Sequence, residues 1–319
     1  MLGYLLRRLG TSIVMLFSVS VLIFVVLRLL PGDPVSIAIG AGHRGVGAEE
    51  LDQYRTESGL NSSYSVQYWL WLTKIFRGDF GVSYFSQEKV LTMIGGHLMP
   101  TVELTLTALI AAVIFAFALA IIGATWPRSF ADRIVTAIAS LGMAIPTFIT
   151  AIILLLTFGI WFPILPTRGY ISFSENPIEN MRLIAMPTMT LAFAAMAPIL
   201  RMLRSSLGEA STSPWTRTAE GKGLLWPKIV RKHIFPNALI PTLTVVGITF
   251  GRMLGGVVLI EFIFAWPGIG TLMVDAIFKR DYMILQATIL FAALATIIVN
   301  FLVDIAYGVV DPRLSFKNK

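Results

Sequence analysis

The chain has 319 residues, of which 56% are hydrophobic and 13% are charged, and its formal net charge is +7. A soluble domain carries about 25% charged residues, so this composition excludes a water-soluble globular protein and indicates an integral membrane protein. The positive charge is typical of basic loops that face anionic lipid headgroups, and it requires no nucleic-acid partner. The chain has no cysteine, which excludes disulfides and thiolate metal sites.

Six segments are long and apolar enough to cross a bilayer, which takes about 20 mostly apolar residues. They are Leu9–Leu30, Leu104–Trp126, Ile134–Phe162, Leu183–Leu200, Ile234–Ile260 and Tyr282–Val303. The first follows a basic start and has no small-residue cleavage site, so we interpret it as an uncleaved span. The fourth contains Pro187 and Pro198 and should kink inside a bundle. The predicted fold is an all-α membrane protein with six transmembrane helices.

The distribution of Lys and Arg predicts the orientation. If both termini are cytoplasmic, the inner loops hold 14 basic residues and the outer loops hold 9, with the other 2 of the 25 inside spans. Short loops with more basic residues face the cytoplasm. The long loop after the first span is then outside. Within it, the aromatic pattern of Tyr64–Phe76 predicts an amphipathic helix that packs on the bundle at the outer surface, although a binding role is the alternative.

The segment Ser213–Pro241 is polar and basic and lies between long apolar runs. Ser213 is a good N-cap, and Pro214 suits the first position of a short helix, where a missing N–H is harmless. Gly223 can take the left-handed conformation that ends this helix, and Pro227 can begin another. The pattern predicts a compact helix–turn–helix at the membrane surface.

Three apolar residues, Leu224, Leu225 and Trp226, lie at the corner of this segment. In a cytoplasmic loop they need a cover. The pattern alone leaves two alternatives: a surface that binds a partner protein, or a basic loop that rests on anionic lipid.

The spacing of the segment is similar to the EAA motif of ABC importer permeases. Arg217-Thr218-Ala219 is followed after three residues by Gly223, and after nine more by His233-Ile234-Phe235-Pro236. The family motif reads EAA, three residues, Gly, nine residues, I-x-L-P. This chain departs from it at four positions: Arg217, Thr218, His233 and Phe235. Such departures resemble the dipeptide, oligopeptide and nickel branch of the binding-protein-dependent transport family.

Further fragments resemble the same branch along the whole chain. They are LRLLPGDP at 27–34, GDFGVS at 78–83, PTVEL at 100–104, FAWPGIG at 264–270, Arg280-Asp281-Tyr282 and Asp311-Pro312-Arg313. Each is weak alone, but their order and spacing together identify the chain as a member of this family.

The resemblance implies a type I ABC importer permease bundle. It implies an N-terminal span at 1–30, an extracytoplasmic loop region at 31–100, a permease core at 101–310 with a coupling loop at about 201–233, and a cytoplasmic tail at 311–319. The coupling loop of the family docks on an ATP-binding subunit, which assigns this role to Trp215, Arg217, Thr218, Ala219, Gly223 and Leu224. The implied location is the bacterial cytoplasmic (inner) membrane.

The same resemblance implies the partners: a second homologous permease, two ATP-binding subunits, an extracytoplasmic solute-binding protein and membrane lipid. Gly-Lys-Gly at 221–223 lacks the upstream glycine and the Ser/Thr of an ATP-binding loop. We therefore expect a transport subunit that is not an enzyme and binds no cofactor, with ATP and magnesium on the partner subunits.

Four charged residues lie near or within the spans, namely Arg28, Glu103, Arg252 and Asp304, and Glu261 is a further candidate. A charge in hydrocarbon is costly, so each should face the bundle interior, an interface between subunits or the transport pathway. Glu261 is predicted just after the fifth span.

The transported solute is the least determined property. Dipeptides or oligopeptides are favoured, and nickel or a metal chelate is the alternative. A channel or secondary transporter that works without an ATPase is an alternative of a different class, but it gives the basic loop no role.

Overall fold

The computed structural model describes residues 2–29 and 62–310. Most of the long loop predicted after the first span, the end of the 27–34 fragment, and the 311–319 tail with its Asp-Pro-Arg fragment lie outside the described residues.

The described residues form helices and connecting turns. The helices are α1 (Leu2–Leu29), α2 (Tyr64–Phe76), α3 (Val90–Thr125), α4 (Phe130–Ala144), α5 (Thr147–Trp161), α6 (Pro177–Thr212), α7 (Pro214–Gly221), α8 (Trp226–Ile229), α9 (Phe235–Phe264), α10 (Ile269–Lys279) and α11 (Tyr282–Val310). A short π-helical stretch, Val230–Ile234, joins α8 to α9. By length and composition, α1, α3, α6, the joined α8–α9 and α11 can each cross a membrane, and α4 with α5 passes the same test as a pair. The prediction of six spans is confirmed when this pair counts as one.

The third predicted span is broken, which the sequence analysis did not foresee. The segment Ile134–Phe162 was expected as one helix, but α4 and α5 meet at an angle of 108°. Ile145 at the break is extended, with φ −83° and ψ 122°. The cause is Pro146, because proline disfavours the helical conformation in the residue before it and has no N–H to continue the helix.

Helix α6 is the centre of the bundle and packs most extensively on α3 and α9. It is longer than the predicted span Leu183–Leu200 and runs through both Pro187 and Pro198. The facing stripe of α3 is Ala108, Ala112, Ala116 and Ala120, all fully buried. Small side chains at this spacing allow close approach of helices without a large hydrophobic driving force.

Helix α2 has the predicted bounds, and it packs on the first span. Tyr68 is buried, its hydroxyl lies 2.8 Å from that of Ser20, and its ring meets Phe24 edge to face at 5.4 Å. A second core cluster joins α1, α3, α10 and α11.

Candidate functional site at the α7 end of the bundle

The polar segment after the fourth span begins as a helix. The loop was predicted from residue 201, but α6 continues to Thr212, and α7 starts directly afterwards with Pro214 in its first turn. Ser213 occupies the predicted N-cap position. Its hydroxyl, however, donates to the Glu209 carbonyl of α6 at 2.9 Å instead of capping α7. The short helix is therefore connected rigidly to the central helix.

One face of α7 is buried against the bundle. The fully buried Thr216 donates its hydroxyl to the Ala210 carbonyl of α6 at 2.7 Å. Ala219, one turn later, is buried and belongs to the main core cluster. This inner face fixes the position of α7 through one buried hydrogen bond and close contact of a small side chain.

Gly223 turns the chain after α7, in the conformation that the sequence predicted. Its φ is +75°, a region that glycine enters at no steric cost. The turn is closed by hydrogen bonds from Gly223 N–H to the Glu220 carbonyl at 2.8 Å and from Leu224 N–H to the Ala219 carbonyl at 3.2 Å. Leu224 consequently points inward and packs on the core.

The rest of the segment is exposed and combines indoles with basic side chains. Trp215 is 49% exposed, Leu225 77% and Trp226 50%. Arg217 and Lys228 are exposed with them. We call these five residues the docking face. Trp and Arg are enriched at the energetic centres of protein interfaces, so this composition favours a protein partner over a lipid surface.

The six predicted coupling residues thus divide between two faces. Trp215, Arg217, Thr218 and Gly223 are exposed, whereas Ala219 and Leu224 lie inward. Leu225 and Trp226, which were predicted only as apolar residues at the corner, also contribute to the exposed surface.

An ion pair near α7 was missed by sequence reasoning. Arg204 of α6 donates to both carboxylate oxygens of Asp132 in α4, at 2.6 and 2.9 Å. The Arg128 N–H donates to the same carboxylate at 3.0 Å, and Ser129 caps α4. The pair joins the α3–α4 turn to the helix that carries α7. Its members are 72 residues apart, so no local pattern pointed to it.

The position of Glu261 differs from its prediction. The residue lies in the last turn of α9 and is 0% exposed. It was expected after the span, at the pathway or a subunit interface. Its carboxylate instead accepts hydrogen bonds from the Thr101 hydroxyl at 2.6 Å and the Gly270 N–H at 2.7 Å. Gly268 and Gly270 lie against the carboxylate so closely that a Cβ at either position would clash with it. Within this chain Glu261 holds the start of α10.

Two pairs of sequence fragments meet at this α10 end. The Trp266 indole donates to the Pro100 carbonyl at 2.9 Å, which joins FAWPGIG to PTVEL. The Ser83 hydroxyl donates to the Asp281 carboxylate at 2.6 Å, which joins GDFGVS to the Arg280-Asp281-Tyr282 fragment. Four of the fragments that carried the family resemblance are therefore contact partners in space.

Glu103 also lies at the α10 end. It accepts a hydrogen bond from the Asn180 amide at 2.8 Å and lies 3.5 Å from the Tyr170 hydroxyl. Burial, and next the charge of Glu103, raise the pKa of the Tyr170 phenol above its usual value. The phenol therefore stays a neutral donor.

The two predicted arginines have different surroundings. The Arg28 guanidinium lies 5.2 Å from the centre of the Phe24 ring, a cation–π contact within α1. Arg252 is exposed on α9 and has no hydrogen bond or ion pair with the residues that the structure describes. Its exposed side chain leaves the pathway and the subunit interface as its predicted roles.

The described residues form a multi-pass helical membrane protein with an exposed aromatic and basic segment at the α7 end. Comparison with known proteins agrees. The family model "Binding-protein-dependent transport system inner membrane component" matches residues 108–316, and the N-terminal model of the same system matches residues 1–105. The chain belongs to this family, the inner-membrane permeases of ABC importers.

Curated relatives are similar over the whole chain. The "Glutathione transport system permease protein GsiC" of Escherichia coli (strain K12) is 36% identical over 317 residues, which cover 99% of this chain and 100% of the relative. The protein of the same name from Salmonella choleraesuis (strain SC-B67) is 35% identical with the same coverage. These relatives are permease subunits, so the chain is a transport component and not an enzyme. Such a subunit works with ATP-binding and substrate-binding partners.

A solved structure supports the fold. It is titled "Crystal structure of an amino acid ABC transporter with histidines", and it matches with a TM-score of 0.54 and 15% identity. The match covers 68% of this chain and 94% of that one.

Proposed function

We propose that this permease forms half of an ATP-driven import pathway for small peptides, glutathione among them, and that the docking face on α7 and α8 binds an ATP-binding subunit. The observation that carries the second part is the division of α7 into a buried face and an exposed Trp–Arg face. A subunit that must transmit a movement needs both a surface for the partner and a rigid attachment to the bundle.

The proposed assembly contains a second homologous permease, two ATP-binding subunits and a solute-binding protein, with ATP and magnesium on the ATP-binding subunits. In this arrangement both termini and the α7 end face the cytoplasm, and the α10 end faces outward, toward the solute-binding protein. Closure of the ATP-binding subunits would displace α7, and α6 would transfer the displacement into the bundle. ATP acts here as a ligand that stabilises one of two bundle arrangements.

The support for peptides is the name of the relatives, because glutathione is a tripeptide. Peptides and glutathione share carboxylate groups and an amino group, which a bare nickel ion lacks. Uptake into vesicles separates these substrates. The complete importer is reconstituted in proteoliposomes with its solute-binding protein, and ATP-dependent accumulation of labelled Gly-Leu, glutathione and Ni²⁺ is compared. Accumulation of Ni²⁺ alone would refute the peptide proposal, and accumulation without ATP would refute the importer mechanism.

A matched pair of glycine variants tests the coupling role. Gly223 and Gly221 both have open space where a side chain would be added, but only Gly223 has a positive φ. The left-handed conformation costs an L-residue about 1–2 kcal/mol, so Gly223→Val should distort the turn and Gly221→Val should not. We expect Gly223→Val to retain ATP hydrolysis while uptake falls at least about tenfold, a loss of about 1.4 kcal/mol of coupling.

Wild-type uptake by Gly223→Val, with both variants present in the membrane at equal amounts, would show that this turn does not couple hydrolysis to transport.

A further inference from the structure

A cavity of about 490 Å³ lies between α4 and α6, close to the Asp132–Arg204 ion pair. Its lining is Val135, Thr136, Ala139, Ser140, Met143, Ala144, Leu200, Arg201 and Arg204. None of these residues belongs to the docking face. The cavity therefore needs an explanation other than the binding of the ATP-binding subunit.

The lining is ordered along the two helices. The helices α4 and α6 are antiparallel, since Asp132 pairs with Arg204 while Gly142, later in α4, lies against Ala197, earlier in α6. Arg201 and Arg204 consequently line the end of the cavity nearest α7, and the exposed Met143 and Ala144 line the other end. The cavity is an open groove with a basic end and a buried apolar floor of Val135, Ala139 and Leu200.

Most polar groups of the lining already make hydrogen bonds within the chain. Thr136 and Ser140 donate their hydroxyls to carbonyls of α4 at 2.8 and 2.9 Å. Arg204 is engaged by Asp132. Arg201 is exposed and makes no hydrogen bond or ion pair with the residues that the structure describes. The Arg201 guanidinium is thus available at the end of the cavity nearest α7, and few hydrogen-bond donors line the rest of it.

The charge and polarity of the lining indicate which kind of molecule can bind in the cavity. A peptide would bury amide groups against Val135, Ala139 and Leu200, and unpaired amides are costly in such surroundings. A hydrocarbon chain that carries one anionic group satisfies both ends of the cavity. Arg201 also follows directly after the apolar run Leu183–Leu200, which places it at the depth of the lipid phosphates.

We propose that this cavity binds one anionic phospholipid from the leaflet at the α7 end, with its phosphate on Arg201 and an acyl chain along Val135, Ala139 and Met143. The bound lipid lies beside the ion pair that joins α4 to α6. Removal of the lipid should therefore loosen the contact between these helices, whichever solute is transported.

The test uses the complete importer in nanodiscs and measures the phospholipid that remains bound after mild delipidation, by native mass spectrometry. The probes are dioleoyl phosphatidylglycerol and dioleoyl phosphatidylcholine, supplied in competition. We expect one phosphatidylglycerol per copy of this chain. The variant Arg201→Gln should lower its retention about fivefold, the effect of one basic residue at a membrane surface. Ala144→Leu, which fills the exposed apolar end, should lower retention of both lipids.

The control is Arg182→Gln, since Arg182 is exposed at the opposite end of α6 and, among the residues that the structure describes, pairs with Glu179 in the same turn. It should leave retention unchanged. Equal retention by Arg201→Gln and the wild type would overturn the proposal, as would equal binding of both lipids to the wild type. Displacement of the lipid by millimolar Gly-Leu or glutathione would also overturn it and assign the cavity to the transport path. The wild-type competition decides the question even if a variant does not fold.

Discussion

The two ends of the bundle attach their short helices in different ways. At the α10 end, two buried carboxylates, Glu261 and Asp281, hold the two ends of α10 with short hydrogen bonds from distant parts of the chain. At the α7 end, the attachment is the buried face of Thr216 and Ala219, with two hydroxyl groups that donate to carbonyls in the last turns of α6. The helix α10 is thus fastened by strong, directional contacts to distant residues. The helix α7 is held mainly by its continuity with α6 and by close packing.

This difference matches the roles that we propose for the ends. Charge-assisted hydrogen bonds inside a bundle are strong and geometrically strict, so α10 should move only together with α3. Packing of a small side chain tolerates small shifts, and α7 must shift when its partner closes. Graded substitutions at the two ends can separate these properties.

The largest expected effect is on the α10 end, from Glu261→Ala. The substitution leaves the N–H groups of Gly270 and Thr271 without their acceptor, and it leaves the Thr101 hydroxyl only the longer hydrogen bond to the His97 carbonyl at 3.3 Å. Each buried unsatisfied donor costs about 1–3 kcal/mol, so we expect a loss of about 3 kcal/mol or more. The unfolding temperature of the purified complex in detergent measures it. The matched control is Glu175→Ala on an exposed loop, and equal effects of the two would refute the assigned role.

The next largest effect is expected from Ser83→Ala. Its hydroxyl donates to Asp281 and accepts from the N–H groups of Phe85 and Ser86. A hydrogen bond to a charged group contributes about 1.5–3 kcal/mol, so we expect about 2 kcal/mol of destabilisation. Ser86→Ala is the control, since the exposed Ser86 hydroxyl makes a weak contact with the Met93 sulfur at 3.7 Å. Equal stability of the Ser83→Ala and Ser86→Ala complexes would contradict the role of Asp281 in holding the end of α10.

A smaller effect is expected at the α7 end, from Ala219→Leu. Overpacking costs about 1–3 kcal/mol in a rigid core, and the peripheral α7 can move outward, so we expect about 1 kcal/mol. Uptake should fall more than stability, because α7 leaves the position that its partner recognises. Glu220→Leu places the same side chain on the exposed side of α7 as a control. Stability and uptake are measured on the same preparations, and a parallel loss of both would argue against a displaced α7.

The smallest effect on stability is expected from Trp215→Ala, which removes an exposed side chain and should change the unfolding free energy by no more than about 0.5 kcal/mol. If Trp215 anchors the ATP-binding subunit, the affinity for that subunit should nevertheless fall by about 2 kcal/mol, a value that quantitative co-purification can detect. Trp126→Ala is the control, since Trp126 is an equally exposed indole just beyond the end of α3. Unchanged affinity in Trp215→Ala would remove the docking face from the proposal.

Local chemistry in the sequence determined much of this protein. Apolar length located the membrane helices, and aromatic periodicity located α2. The turn residues Pro214, Gly223 and Pro227 located α7, its end and the start of α8, because proline and glycine restrict the backbone within one or two residues. The motif spacing pointed to the family.

Only the tertiary structure decided which contacts these elements make. The hydrogen bonds of Glu261 with Thr101 and of Asp281 with Ser83 join residues 160 and 198 positions apart, so no window of sequence contains both partners. The same is true of Asp132 with Arg204. The division of α7 into a buried and an exposed face followed from the packing of Thr216 and Ala219 on the bundle. Pro146 breaks the helix locally, but only the tertiary structure gives the angle of 108° between α4 and α5. Charge and length predict that a residue lies near a span, but packing decides whether it faces a pathway, a partner or the interior of its own chain.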